Sequence, residues 1–76
     1  MKGETMNKTV ILSWDDEVVC INDAEGNPIA ELDWPDEEDL QDSLRQVVEA
    51  CGMEFVWFGE PEVTANGWQC GVTVKP

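Results

Sequence analysis

Residues 36–52 read Asp-Glu-Glu-Asp-Leu-Gln-Asp-Ser-Leu-Arg-Gln-Val-Val-Glu-Ala-Cys-Gly. Within them Leu40, Leu44, Val47, Val48 and Cys51 recur at i, i+4, i+7, i+8 and i+11, which is one face of a 3.6-residue period. The spacing predicts a helix from Asp36 to Cys51. Asp33 or Asp36 suits its N-cap, and Pro35 is tolerated in a first turn. Gly52 can take the left-handed conformation that ends a helix. No other segment carries this period, so the remainder is predicted to be strand and turn.

Upstream, Thr9 to Trp14 sets Val10, Leu12 and Trp14 against Thr9, Ile11 and Ser13, a two-residue alternation that predicts a strand. Asp15-Asp16 reads as a turn, Glu17 to Asn22 as a second strand, and Asp23 to Pro28 as a hairpin loop dense in turn formers. Pro28 to Asp33 returns as a third strand, with Pro28 at its start, where a missing N–H matters least. Downstream, Met53 to Phe58 reads as a strand. Trp68, Cys70, Val72 and Val74 alternate with Gln69, Gly71, Thr73 and Lys75, so the last strand buries one face. Asn66-Gly67 suits a tight turn before it. The expected order is β-β-β-α-β-β: an α+β fold, a mostly antiparallel sheet with one helix packed on one face.

Length bounds the rest. Seventy-six residues allow a single domain, with residues 1–7 expected to form a flexible lead-in. Val, Ile, Leu and Phe make up 18 of the 76 residues, and four Trp join them. Their regular spacing argues for a folded chain rather than a disordered acidic tail. Cys20, Cys51 and Cys70 are an odd number without a C-x-x-C pair. That fits a reducing, cytoplasmic setting better than a disulfide framework. No apolar leader follows Met1 and no run is long enough to span a bilayer, so neither a signal peptide nor a membrane is expected.

Charge is the strongest compositional signal. Seventeen Asp and Glu stand against four Lys and Arg, a formal net charge of −13. Lys2, Lys8 and Lys75 lie near the two ends, and Arg45 is the one base between Thr9 and Val74. Such a body repels itself, repels nucleic acid and anionic membrane, and attracts basic protein surfaces. Six carboxylates fall within ten residues: Asp33, Asp36, Glu37, Glu38, Asp39 and Asp42. With Leu40 at the centre of the buried face, Glu38, Asp42 and Glu49 are expected on the solvent face, as an outward stripe with about one helical turn between neighbours. Acids in a first helical turn are also favoured by the macrodipole, which accounts for Asp36 to Asp39 without any partner. It leaves Asp42, Glu49, the Asp15-Asp16-Glu17 run, Glu31, Glu54, Glu60 and Glu62 unexplained. The candidate partner-binding residues are therefore Asp33, Asp36, Glu37, Glu38, Asp39, Asp42, Glu49, Asp15 and Asp16.

Catalysis has little to work with. The chain has no His and no Tyr, which removes the usual proton shuttle at neutral pH. The cysteines are expected on apolar faces as small buried hydrophobes. There is no Gly-rich phosphate loop. Ile21 to Leu32 departs from a calcium loop at its first and twelfth positions, so no metal or other cofactor is expected. Trp14, Trp57 and Trp68 are expected in the core, and Trp34 as a staple over the helix entrance or an anchor at an interface.

A tiny acidic α+β chain of this layout resembles the phage-encoded DNA-mimic inhibitors, among them anti-CRISPR and anti-restriction proteins. The resemblance covers size, charge and layout over the whole chain. It rests on no sequence motif, so it carries over no residue role. It implies a monomeric inhibitor whose partner is a basic, DNA-binding protein or ribonucleoprotein complex, with no direct nucleic-acid contact. Three rival readings stand beside it. One is an acidic interaction or regulatory module without mimicry, which would not compete with DNA. Another is a halophile protein, which would unfold in low salt. The third is a small enzyme or metal protein.

Overall fold

The structure, a computed structural model, describes residues 7–76. Most of the expected flexible lead-in, Met1 to Met6, lies outside the described residues. The elements are β1 (Lys8–Trp14), β2 (Val18–Asp23), β3 (Pro28–Asp33), α1 (Leu40–Ala50), β4 (Glu54–Phe58), β5 (Glu62–Val63) and β6 (Trp68–Lys75). The sheet runs β3-β2-β1-β6-β4, with β5 also pairing β6. Every pairing is antiparallel. The α+β layout holds, and β1, paired with both β2 and β6, takes the centre.

The alternation in β1 and β6 decides the faces. Val10 faces Val72 and Leu12 faces Cys70 across the central pair, and Leu12 faces Ile21 of β2. These side chains are buried together with Val19, Val74 and the helix residues Leu44, Val47 and Val48. Each fully buried Val, Leu or Ile contributes roughly 1.5–3 kcal/mol relative to exposure. Among the described residues, no helix covers the opposite face of the sheet. That face presents Thr9, Ile11, Ser13, Cys20, Gly71 and Thr73, with Cys20 set between Ser13 and Glu31. Cys20 therefore lies off the apolar face expected for it.

The helix is shorter than its sequence pattern. It begins at Leu40, with Asp39 as N-cap in an extended conformation, rather than at Asp36. Asp36 sits at φ +52°, a left-handed conformation incompatible with a first turn. The Glu37 N–H donates to Ser43 Oγ at 2.9 Å, folding the acidic segment back over the helix start. Neither Asp33 nor Asp36 is the cap, and Asp42 lies inside the first turn rather than beyond it.

Two tryptophans depart from the expected core. Trp57 is 61% exposed and Trp68 46% exposed. A register shift between Phe55 and Trp57 explains the first. Phe55 faces Val74 and Phe58 faces Val72, so the bulge aims both phenylalanines at the core, their ring centroids 6.1 Å apart. Trp57, opposite Thr73, is sent to the uncovered face. Trp68 faces Trp14 at the end of the sheet, where the covering elements run out. Trp34 is half-buried against the core and stacks on Trp14, with centroids 4.8 Å apart and ring planes within 5°. The fifth strand, β5, which the sequence pattern did not predict, is two residues long. Its turn into β6 is closed by Thr64 N–H donating to the Gly67 carbonyl at 2.8 Å. A Cβ on Gly67 would run into the Trp14 carbonyl, so the turn requires glycine for close approach.

Candidate functional site

Strand register gathers the carboxylates at one end of the sheet. The Asp15–Glu17 turn joins β1 to β2 there, since Trp14 faces Val19. Asp33 ends β3 beside Val18. The Trp34 N–H then donates to the Glu17 carbonyl at 2.9 Å, tying the start of the β3–α1 connection to the same turn. Asp36, Glu37, Glu38 and Asp39 follow in that connection, all exposed, and lead to the helix N-terminus. Seven of the nine candidate residues thus share one pole: Asp15, Asp16, Asp33, Asp36, Glu37, Glu38 and Asp39. Asp42 adjoins it in the first helical turn. Glu49 does not. It lies seven residues further along α1, about 10 Å at 1.5 Å per residue, between Gln46 and Ala50, which line a separate cleft with Asp33 and Pro35.

The expected helical stripe is therefore not a stripe. Glu38 precedes the helix, and Asp42 is held by Arg45, whose guanidinium meets its carboxylate at 2.6 Å. That pairing offsets the charge of the one carboxylate expected at the stripe's centre. The cluster at the pole takes its place, joined by two acids that the sequence left unexplained by helix capping but did not single out as candidates. Glu17, expected inside a strand, is an exposed turn residue. Glu62 faces Gln69 near the start of β6. Glu17 follows Asp16 directly in the chain, whereas register alone brings Glu62 to the end of the sheet where Trp68 faces Trp14.

Two acids also build turns. Asp15 accepts N–H donors from Glu17 at 2.8 Å and Val18 at 2.9 Å. The Val18 N–H, then that of Glu17, holds its carboxyl below the ordinary 3.8. Asp23 accepts from Glu25 and Asn27, each at 2.9 Å, and the Asn27 N–H lowers its pKa most. Asp15 thus serves the fold as well as the surface, whereas Asp16 accepts no hydrogen bond among the described residues.

No carboxylate is buried among the described residues; Ser43 is the one buried polar side chain. All three cysteines are free thiols. Burial pushes the Cys51 and Cys70 thiols up, which leaves them protonated and weakly nucleophilic near neutral pH. The Cys70 thiol donates to the Gly59 carbonyl at 3.3 Å. Among the described residues no group of three His, Cys, Asp or Glu side chains converges as a metal site, and no helix is long and apolar enough to cross a membrane.

The pole has an apolar component. A cleft of about 230 Å³ opens between Trp14, Leu40, Pro61 and Trp68, beside the acidic segment that leads into Leu40. No protein-family model, curated protein or solved structure matches the chain.

Proposed function

We propose that this chain is an acidic DNA mimic. It occupies the Lys/Arg-lined DNA-binding site of a nucleic-acid-binding defence complex, most directly a CRISPR surveillance complex before target loading. The observation that carries the reading is the acidic pole. Asp16, Glu17, Asp33, Asp36, Glu37, Glu38 and Asp39 are all exposed and gathered at one end of the sheet. None of them is in an ion pair among the described residues; the pairs there are Arg45–Asp42 and Lys75–Glu54. Surface carboxylates add little to folding, and their mutual repulsion opposes it. A basic surface that grips phosphates offers the complementary field, and like-charge juxtaposition there costs several kcal/mol.

Competition with target DNA is the test. With a purified surveillance complex, the protein and a target duplex should bind in a mutually exclusive way. D16K/E38K reverses charge at the pole and should raise the half-inhibitory concentration at least tenfold at an unchanged or higher melting temperature. E25K/E54K changes net charge equally but at the opposite end of the sheet, and should cost much less. Simultaneous binding of protein and duplex would overturn mimicry and point to an acidic regulatory module instead.

A further inference from the structure

We propose that the cleft between Trp14, Leu40, Pro61 and Trp68 is the anchor of the acidic pole and takes an arginine side chain of the basic partner. The inference rests on the reading above that the pole meets a basic protein, and it names the residue type that is seated.

Three features of the cleft select the occupant. Trp14 is committed to Trp34 through the 4.8 Å stack, so Trp68, its cross-strand neighbour, keeps 46% of its surface exposed. An indole left open in this way offers a π face, and a guanidinium is attracted to it and stacks flat on it. The walls are apolar: Leu40 and Pro61 can cover the three methylenes of an arginine stem while its head stays polar. The chain sets carboxylates beside both of these walls. Asp36, Glu37, Glu38 and Asp39 lead into Leu40, and Pro61 stands between Glu60 and Glu62, all of them exposed. The helix N-terminus carries about half a unit of positive charge, which the four carboxylates at 36–39 outweigh. An uncharged apolar occupant would leave these acids unanswered, and a second copy would bring a net charge of −13 against the same charge. Lysine matches the charge but lacks the planar fork that stacks on indole.

The proposal is tested with nona-arginine and nona-lysine peptides titrated into the full chain at low and at physiological salt, followed by the four tryptophan indole N–H signals in NMR. Nona-arginine should bind more tightly than nona-lysine and shift the Trp68 and Trp14 signals first. W68L keeps apolar bulk but removes the π face; it should weaken nona-arginine about fivefold and abolish the preference over nona-lysine. W57L, at the exposed tryptophan of the opposite sheet face, should leave both affinities unchanged. Thermal melts and the remaining indole signals establish that each variant is folded. Should W68L bind nona-arginine like the wild type, or W57L weaken it equally, the anchor is wrong while the acidic-pole reading stands. Concentration-dependent Trp68 shifts without peptide would give the cleft to a second copy and likewise overturn the anchor. Failure of both peptides to bind the wild-type chain even at low salt would remove the anchor and the basic partner together.

Discussion

Asp15 and Asp23 show how an acidic residue can belong to the fold. Each carboxylate accepts two backbone N–H groups within its own turn, so its ionised form is favoured in the folded state and its pKa lies below 3.8. A depressed folded pKa supplies stability that is fully present above the unfolded value and is lost as pH falls through the folded one. The unfolded chain binds more protons in that window, so stability falls there with falling pH. The contribution of these two turns to the melting temperature should therefore be lost below about pH 4, the ordinary carboxylate range. In the D15N/D23N variant, melts from pH 7 to pH 2 should show a shallower acid limb. The same variant should melt a few degrees lower at pH 7, on the order of what one or two lost turn contacts do to a domain of this size. An acid limb of unchanged slope would show that these turns do not control it.

At the scale of elements, Ser43 is the side chain that joins helix to acidic segment. It is 1% exposed on α1, and its Oγ accepts the Glu37 N–H. S43A should destabilise by about 1–2 kcal/mol in urea unfolding, because it leaves that N–H without its acceptor. Amide hydrogen exchange should quicken at Glu37, and faster exchange spread evenly over the helix would instead mean general loosening. The same contact explains why the helix start was misread. Pro35 followed by four acids has the composition of a first turn, and nothing local reveals that Asp36 turns left-handed so that Glu37 can reach Ser43. The interior of α1 was legible because burial repeats every 3.6 residues, and β1 and β6 because it repeats every two. β5 was not, since two residues carry no period. Trp57 was misplaced because a bulge breaks the alternation between Phe55 and Phe58, and a bulge is set by the partner strand. The candidate carboxylates were named one by one from charge. Their assembly into a pole depends on Trp14 facing Val19 and Val18 facing Asp33, which is register and therefore tertiary.

For the whole molecule, a charge of −13 gives folding and binding opposite responses to salt. Self-repulsion acts against the compact state and is screened as the Debye length shrinks from about 30 Å at 0.01 M to about 3 Å at 1 M. The melting temperature should rise between 20 mM and 500 mM NaCl, while affinity for the basic partner falls steeply over the same range. A chain already unfolded at 20 mM salt would favour the halophile reading, and affinity indifferent to salt would count against a charge-driven interface.

The placement of β6 between β1 and β4 has a consequence for how the molecule is made. A ribosome delivers β1, β2 and β3 first, and these can close locally as a meander. The inner edge of β1 then waits with its backbone N–H and C=O groups unpaired until residues 68–75 emerge to pair with it. Strand β4 waits as well, because it meets the sheet only through β6. The central pairing joins segments some sixty residues apart, and closing such a loop before any of its contacts form slows folding. Half-synthesised chains therefore carry an open, apolar strand edge, and such an edge invites pairing with another chain. The acids of the β1–β2 turn and of β3 oppose such pairing, because two copies of this edge would bring like charges together.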